Sequence, residues 1–142
     1  MKKLLLAALF GLAVLPATAA TGPKSPGADV LTRKECGACH MAFPARLLPA
    51  GSWTRIMNSL GDHFGEDASL DKATRTRIEA YLTAHAGRRR NGTPIRITKL
   101  RWFVRNHNRR GMKRLMERVG AKSLVDCMAC HAGAERGRFE DD

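Results

Sequence analysis

The clearest hydrophobic pattern in the chain lies between residues 52 and 64. Apolar side chains and one histidine recur there at offsets of 0, 3, 4, 7, 10 and 11, which places them on one face of an α-helix. They are Trp53, Ile56, Met57, Leu60, His63 and Phe64. Ser52 is the predicted N-cap of this helix and Gly65 its predicted end. The pattern therefore turns His63 toward the interior of the protein.

A second helical pattern follows, and it also contains a histidine. Ser69 or Asp71 is predicted to start this helix and Gly87 to stop it. The predicted inward face consists of Ile78, Tyr81, Leu82 and His85. His85 is therefore a rival inward histidine, although the run of arginines that follows it favours solvent exposure.

The second half of the chain has the same kind of spacing. Leu100, Phe103 and His107 recur at intervals of three and four residues, so His107 is also predicted to face inward. After Gly111, a shorter stripe is formed by Leu115, Met116 and Val119. No strand-like alternating run is evident. The predicted fold class is therefore mostly α, with few or no strands.

The remaining stretches are predicted from their turn residues and their flanks. Residues 29–34 are expected to form a short helix that leads into Cys36. Residues 43–51 contain Pro44 and Pro49 and are expected to be an irregular loop. Residues 88–93, rich in arginine, are expected to link two halves of the protein.

The pattern Cys-x-x-Cys-His occurs twice, at residues 36–40 and 127–131. It contains all four cysteines of the chain, which are Cys36, Cys39, Cys127 and Cys130. This pattern is the attachment signature of a c-type haem, in which both cysteines form thioethers to the porphyrin and the histidine is an axial ligand of the iron. The sequence therefore predicts two covalently bound haems c, with His40 and His131 as ligands on the attachment side.

Three other uses of paired cysteines fit the sequence less well. A zinc ribbon needs pairs much closer together than the 87 residues that separate these two. A thioredoxin-type dithiol would lie in a βαβ pattern, which is missing around both pairs. Structural disulfides would not need the two histidines.

The second axial ligand of each iron is predicted from the positions of the remaining histidines. Only eleven residues follow His131, and they contain neither His nor Met, so the second haem must take its other ligand from upstream or lack one. His107 lies 24 residues before His131, and His63 lies 23 residues after His40. The favoured assignment is His40 with His63 and His131 with His107, which makes both sites bis-histidine. Crossed pairing stays open, as do His85 and the methionines Met57, Met112 and Met116.

The N-terminus has the composition of a secretory signal peptide. Two lysines precede the short apolar run Leu4–Leu15, and Ala17-Thr18-Ala19 is a cleavage motif. The predicted division of the chain is a signal peptide at residues 1–19, a haem subdomain at 20–90 and a second haem subdomain at 91–142. Cleavage would leave about 123 residues, the length of one ordinary domain. Export agrees with the motifs, because bacteria attach haem to this motif outside the cytoplasmic membrane, and it predicts a periplasmic protein.

The chain is strongly basic, with a net charge of +12 that falls to about +10 without Lys2 and Lys3. Such a surface suits an acidic redox partner or peripheral contact with an anionic membrane. A nucleic acid is not the expected partner of an exported protein with two haem motifs. Arg101, Arg105 and Arg109 recur every four residues, a spacing typical of a solvated stripe, and they could also neutralise haem propionates.

Beyond these motifs, the chain resembles the small bacterial dihaem cytochromes c over nearly its whole length after the signal, from Cys36 to Glu140. The segments that carry the resemblance are ECGACHMAFPARLLPAGSW, LGDHFGEDASLD, RIEAYL, RIT with WFVRNH, and CMACHAGAERGRFE. The resemblance implies a mostly helical protein with two haem subdomains, and axial ligands at His40, His63, His107 and His131. It also implies two partners, a membrane cytochrome b that donates electrons and an oxygen-binding c-type haem protein that accepts them.

The function predicted from these observations is that of a periplasmic electron carrier, not an enzyme. Two histidines per iron leave no position for a substrate. The alternative is a dihaem enzyme of peroxidase type in which one iron can open. A haem-based sensor is a third class, but it would need an output domain that this sequence lacks.

Overall fold

The computed structural model describes residues 28–88 and 94–139. Within these ranges the chain forms α-helices and short 3₁₀ turns and contains no strand apart from one isolated bridge between His63 and Glu66, which confirms the mostly α fold class. The helices are α1 (Val30–Cys36), α2 (Ala50–Asn58), α3 (Lys72–Ala84), α4 (Arg101–His107) and α5 (Met112–Val119). The predicted signal peptide and the predicted boundary at residues 90/91 lie outside the described residues.

Helix α1 leads directly into the first haem motif, as the sequence predicts. The Asp29 carboxylate caps the helix by accepting the Thr32 N–H at 2.9 Å. Cys36 is the last helical residue, and Gly37 caps the C-terminal end. His40 therefore lies four residues beyond the end of the helix.

Helix α2 starts earlier and ends earlier than its hydrophobic pattern predicts. Its N-cap is Pro49 and not Ser52, which is fully buried inside the helix, so the predicted loop at 43–51 is wrong at its end. That loop also contains a 3₁₀ turn at Ala45–Leu47.

The predicted extension of this helix to His63 is wrong as well. The Ser59 hydroxyl donates to the carbonyls of Arg55 and Ile56, at 3.0 and 3.3 Å, and so competes with the helical pattern. The Leu60 carbonyl then accepts the Ala68 N–H at 2.9 Å, because the chain folds back on itself. His63 consequently lies in a turn after a short 3₁₀ segment, five residues beyond the end of α2.

Helix α3 begins after Asp71, one of the two predicted caps, whose carboxylate accepts the Thr74 N–H at 3.0 Å. Ile78 and Leu82 are buried as predicted. The prediction that His85 faces inward is wrong, because His85 is the C-cap and is exposed. The His85 ring stacks on Tyr81 of the predicted stripe, but it does so at the exposed end of the helix.

One hydrophobic core includes residues of both halves of the chain. Helix α2 packs against α3, and the Trp53 indole N–H donates to the Ala45 carbonyl at 2.7 Å. Leu100 and Phe103, at and after the start of α4, belong to the same buried cluster. The other members are Leu48, Ile56, Met57, Ile78 and Leu82. Helix α4 therefore has its inward face where the sequence predicts it.

Helix α5 lies between two glycines in the left-handed region, Gly111 with φ 91° and Gly120 with φ 71°. It follows the predicted apolar stripe, yet none of its residues is buried. Leu115 and Val119 are 38% and 39% exposed. Across the described residues, the helices are too short or too polar to cross a membrane.

Candidate haem sites

The imidazoles of His40 and His63 face each other. Their ring centroids are 6.1 Å apart and their planes are inclined by 21°. His40 comes from the end of the first motif, and His63 comes from the turn after α2. Both residues are half-buried. The structure therefore brings together the two histidines that the sequence assigns to the first haem.

The turn that carries His63 is held by its own backbone. The His63 N–H donates to the Glu66 carbonyl at 2.7 Å, and the Glu66 N–H donates back at 3.3 Å. The Gly65 N–H donates to the Asp62 carboxylate at 3.1 Å. Phe64 adopts a φ of 62°, a left-handed conformation that costs a non-glycine residue about 1–2 kcal/mol. Strain of this kind concentrates at functional sites, and here it adjoins the histidine.

His107 and His131 form a second pair with a different orientation. Their centroids are 6.2 Å apart and their planes are inclined by 75°. His107 is the last residue of α4, and its ring stacks on Phe103 at 3.9 Å and 8°. His131 is the last residue of the second motif. It follows a 3₁₀ turn at Cys127–Ala129, which is capped by Cys130. The rings in this pair are close to perpendicular, whereas those of the first pair are close to parallel.

Both separations have the value that one shared metal ion requires. A bond from a metal to an imidazole nitrogen is about 2 Å long and the ring centroid lies about 1 Å behind the nitrogen, so two imidazoles on opposite sides of one metal have centroids about 6 Å apart. Within residues 28–88 and 94–139, no three His, Cys, Asp or Glu side chains converge as a metal site. Each pair thus offers two ligands, which is the number that a porphyrin leaves open on its iron.

Hydrogen bonds fix the rings of two of these histidines. The Nδ1 atoms of His40 and His107 lie 2.8 and 3.0 Å from the carbonyl oxygens of Met41 and Phe103. A carbonyl can only accept, so each Nδ1 is the donor, and in the neutral ring Nε2 then has its lone pair available for a metal. Burial, followed by the neighbouring His40, lowers the pKa of His63. A lower pKa favours the neutral imidazole, which is the form that binds metals.

The sulfurs of Cys36 and Cys127 are suited to an uncharged bonded state. Burial is the main cause that raises the pKa of the Cys36 thiol and that of the Cys127 thiol. All four cysteines are in the described ranges, and none forms a disulfide. A thioether to haem carries no charge, so it suits the burial of these two sulfurs.

One cavity connects the two motifs. It has a volume of about 390 Å³ and is lined by residues 37–42 of the first motif and its C-terminal flank. Met128, inside the second motif, and Glu135, just after it, line the same cavity. The two attachment segments are therefore neighbours in the fold.

The alternative ligands have other surroundings. The ring of His85 stacks on Tyr81 at 4.4 Å, and its Nδ1 donates to the Tyr81 carbonyl at 2.9 Å. Met57 is 3% exposed and belongs to the hydrophobic core. Met112 and Met116 are half-buried on α5. In the ring contacts described above, His85 is the one histidine that does not pair with another histidine.

Two arginines lie next to these sites, and no sequence pattern predicts their contacts. The guanidinium of Arg96 lies 4.1 Å from the centroid of Phe64, whose ring is 4.8 Å from that of His63. The guanidinium of Arg46 lies 5.6 Å from the centroid of Phe139, whose ring is 5.6 Å from that of His131. Arg46 also donates to the Gly137 carbonyl, 91 positions away. Each arginine comes from the half of the chain opposite to the phenylalanine that it contacts, so no local spacing predicts the contact.

Comparison with known proteins agrees with this arrangement. The model of the family described as dihaem cytochrome c matches residues 32–139. The crystal structure of DHC purified from Rhodobacter sphaeroides is 57% identical with a TM-score of 0.69, over 78% of this chain and 96% of that one. A dihaem cytochrome c from Shewanella baltica is 39% identical with a TM-score of 0.68, over 78% of this chain and 86% of that one. No curated relative matches the chain significantly.

Proposed function

The chain belongs to the dihaem cytochrome c family, and we propose that it is a periplasmic electron carrier in which each iron is closed by two histidines. Its cofactors are two c-type haems, as membership of the family implies. The observation that carries the proposal is the pair of imidazole separations, 6.1 and 6.2 Å.

In this proposal, each motif attaches one haem and supplies one ligand. Cys36 and Cys39 bind the first haem, and His40 and His63 are the ligands of its iron. For the second haem the attaching residues are Cys127 and Cys130, and the ligands are His131 and His107. The facing rings support this uncrossed pairing, and the shared cavity supports a short route between the two haems.

When bound, each haem supplies a one-electron couple between ferric and ferrous iron. The task of the protein is to keep both axial positions occupied, so that electrons pass without a substrate reaching the metal. Bonds from Nδ1 to backbone carbonyls hold His40 and His107 in the ligating orientation. Ligation by two histidines, in place of histidine and methionine, favours a lower reduction potential.

The location and partners follow from the sequence and from the resemblance. The signal peptide predicted at residues 1–19 supports export to the periplasm. A membrane cytochrome b is the proposed electron donor, and an oxygen-binding c-type haem protein is the proposed acceptor. The basic surface suits acidic partners and peripheral contact with an anionic membrane.

One observation favours an alternative for the first haem. His63 lies in a turn whose other residues, Asp62 and residues 64–67, are exposed, whereas His107 is the end of a helix that packs in the core. A dihaem enzyme of peroxidase type needs one iron that can open, and His63 is the ligand that would leave most readily.

Spectra of the purified holoprotein distinguish the two functions. Visible spectra are recorded for the oxidised and reduced protein, with and without carbon monoxide, and turnover of hydrogen peroxide is measured on the same sample. An electron carrier has two low-spin haems, leaves carbon monoxide unbound and does not consume peroxide. A high-spin or carbon monoxide-binding haem in the wild type, together with peroxide turnover, would establish the enzyme instead.

A further inference from the structure

The positive charge of this protein is concentrated in one segment around His107. Residues 96–122, called the basic segment here, contain ten Lys or Arg and a single acidic residue, Glu117. Their net charge is +9, out of +12 for the whole chain. The segment includes α4, which ends at His107, and α5, and it stops shortly before the second motif.

All ten cations of the basic segment are exposed. The ion pairs Lys34–Glu35 and Arg75–Glu79, seen in the described residues, both lie in the other half of the chain. Arg96 is engaged with the ring of Phe64, but it too keeps its charge at the surface. A dense group of exposed like charges destabilises the fold through self-repulsion. A bound partner of opposite charge offsets that repulsion.

Helix α5 carries side chains of the kind that bind an acidic protein. Three cations of this helix, Lys113, Arg114 and Arg118, are exposed. Exposed arginine is enriched at protein interfaces, because its guanidinium binds a carboxylate with two hydrogen bonds.

A membrane is the other anionic surface that a basic helix could meet. Helices that bind in the membrane interface bury an apolar face that carries bulky residues such as Trp, Phe or Leu. Among the eight residues of helix α5, Leu115 is the one residue of these types. The composition of the surface therefore favours a protein.

We propose that the basic segment is the surface on which an acidic redox protein docks to exchange electrons with the second haem. This inference rests on the proposed function as an electron carrier. In the docked complex one electron crosses between the two proteins, so that one centre is oxidised and the other reduced by one electron, and no bond forms or breaks. The positive charge raises the rate of encounter, and α4 brings the partner close to the haem whose iron His107 binds.

The test compares two variants with equal changes of charge. In the first variant, Lys113→Glu and Arg114→Glu reverse two charges at the start of α5. In the matched control, Lys72→Glu and Arg77→Glu reverse one lysine and one arginine on α3, both exposed. The probe is reduced flavodoxin, a small acidic flavoprotein, and stopped-flow absorbance measures how fast it reduces the oxidised holoprotein at a series of salt concentrations.

The wild type should react fastest at low salt and lose that advantage as salt rises. The α5 variant should react about tenfold more slowly than the wild type at low salt, with a weaker dependence on salt, whereas the α3 variant should stay within about twofold. Equal losses in both variants would overturn the proposal, because the total charge would then matter and its position would not. The absence of a loss in the α5 variant would overturn it as well.

Two further measurements separate this proposal from its competitors. A small uncharged reductant should reduce all three proteins equally; a loss confined to the α5 variant with this reagent would mean that the residues act on the haem and would overturn the docking surface. Binding to phosphatidylglycerol vesicles that depends on Lys113 and Arg114, without an effect on flavodoxin, would assign the surface to a membrane. Failure of the proposed function itself would appear differently, as carbon monoxide binding or peroxide turnover by the wild type.

Discussion

The guanidinium of Arg96 lies over the ring of Phe64, 4.1 Å from its centroid, and Phe64 is the residue that follows His63. The contact joins the second half of the chain to the turn that presents His63, the proposed distal ligand of the first haem. Phe64 has a left-handed backbone there, so the turn does not hold its shape through backbone preference alone. We expect Arg96 to stabilise the position of His63.

Replacement of Arg96 by glutamine should therefore loosen the first haem. A cation–π contact at an exposed site contributes about 0.5–1 kcal/mol, which corresponds to about a two- to fivefold more frequent loss of the His63 ligand. Cyanide binds ferric iron when an axial position opens, so its binding rate should rise by that factor. The change is measured by absorbance in the visible range.

The control for this experiment is Arg77→Gln, which removes an exposed arginine of α3. It should leave the rate of cyanide binding unchanged. If both variants react alike, the effect comes from the net charge and the contact with Phe64 contributes nothing.

The contact of Arg46 with Phe139 should have a different consequence. Arg46 holds the segment after the second motif by a hydrogen bond to the Gly137 carbonyl and by its position over Phe139. His131, however, is also fixed by its neighbour Cys130, which is covalently bound in our account. Arg46→Gln should thus increase hydrogen exchange of residues 134–139, while cyanide binding to the second haem changes less than twofold. A larger rise in cyanide binding would show that Arg46, and not covalent attachment, fixes His131.

The two pairs of imidazole planes should give two different electron paramagnetic resonance signals. The planes are inclined by 21° at the first site and by 75° at the second. Aligned planes act on the same iron d orbital and split the levels widely, whereas perpendicular planes act on two orbitals equally and leave them close in energy. The oxidised protein should therefore show one rhombic low-spin signal and one strongly anisotropic low-spin signal, in equal amounts. Two identical signals would contradict this geometry.

Phe103 should affect the second haem through His107. Its ring is 4% exposed, stacks on the His107 ring at 3.9 Å, and belongs to the core. Phe103→Ala should lower the free energy of unfolding by about 3–5 kcal/mol and turn part of the second haem high-spin, because His107 loses its support. Ile78→Ala is the matched control, since it removes a buried side chain of the same core from α3, a helix that carries none of the four proposed ligands. It should destabilise the protein by a similar amount but leave both haems low-spin.

The hydrophobic pattern predicts a helix well where a capping residue stands directly before the residues of the buried face. Asp71 starts α3, and Leu100, Phe103 and His107 form one face of α4, as expected. The pattern fails at His63, because a face with helical spacing can also arise when a helix ends and the chain continues as a 3₁₀ segment and a turn. The hydroxyl of Ser59 and the return of Ala68 to Leu60 decide that outcome, and neither is visible in hydrophobicity.

The candidate site is predictable in part for the same kind of reason. Cys-x-x-Cys-His motifs are local, so His40 and His131 are found from spacing alone, and the order of the remaining histidines suggests His63 and His107. The inclination of the rings and the contacts of Arg46 and Arg96 depend on how distant segments pack. The pattern predicts that His85 faces inward, and its ring does stack on Tyr81, but at the end of α3 it is exposed to solvent.

Single replacement of the distal histidines tests the central claim most directly. His63→Ala and His107→Ala are purified as holoproteins, and their spectra are compared with those of the wild type and of His85→Ala, with and without carbon monoxide. We predict that each of the first two variants makes one haem high-spin and able to bind carbon monoxide, that His63→Ala removes the rhombic signal and His107→Ala the strongly anisotropic one, and that His85→Ala changes neither haem. If His85→Ala opens a haem while His63→Ala or His107→Ala opens none, the proposed ligation is contradicted.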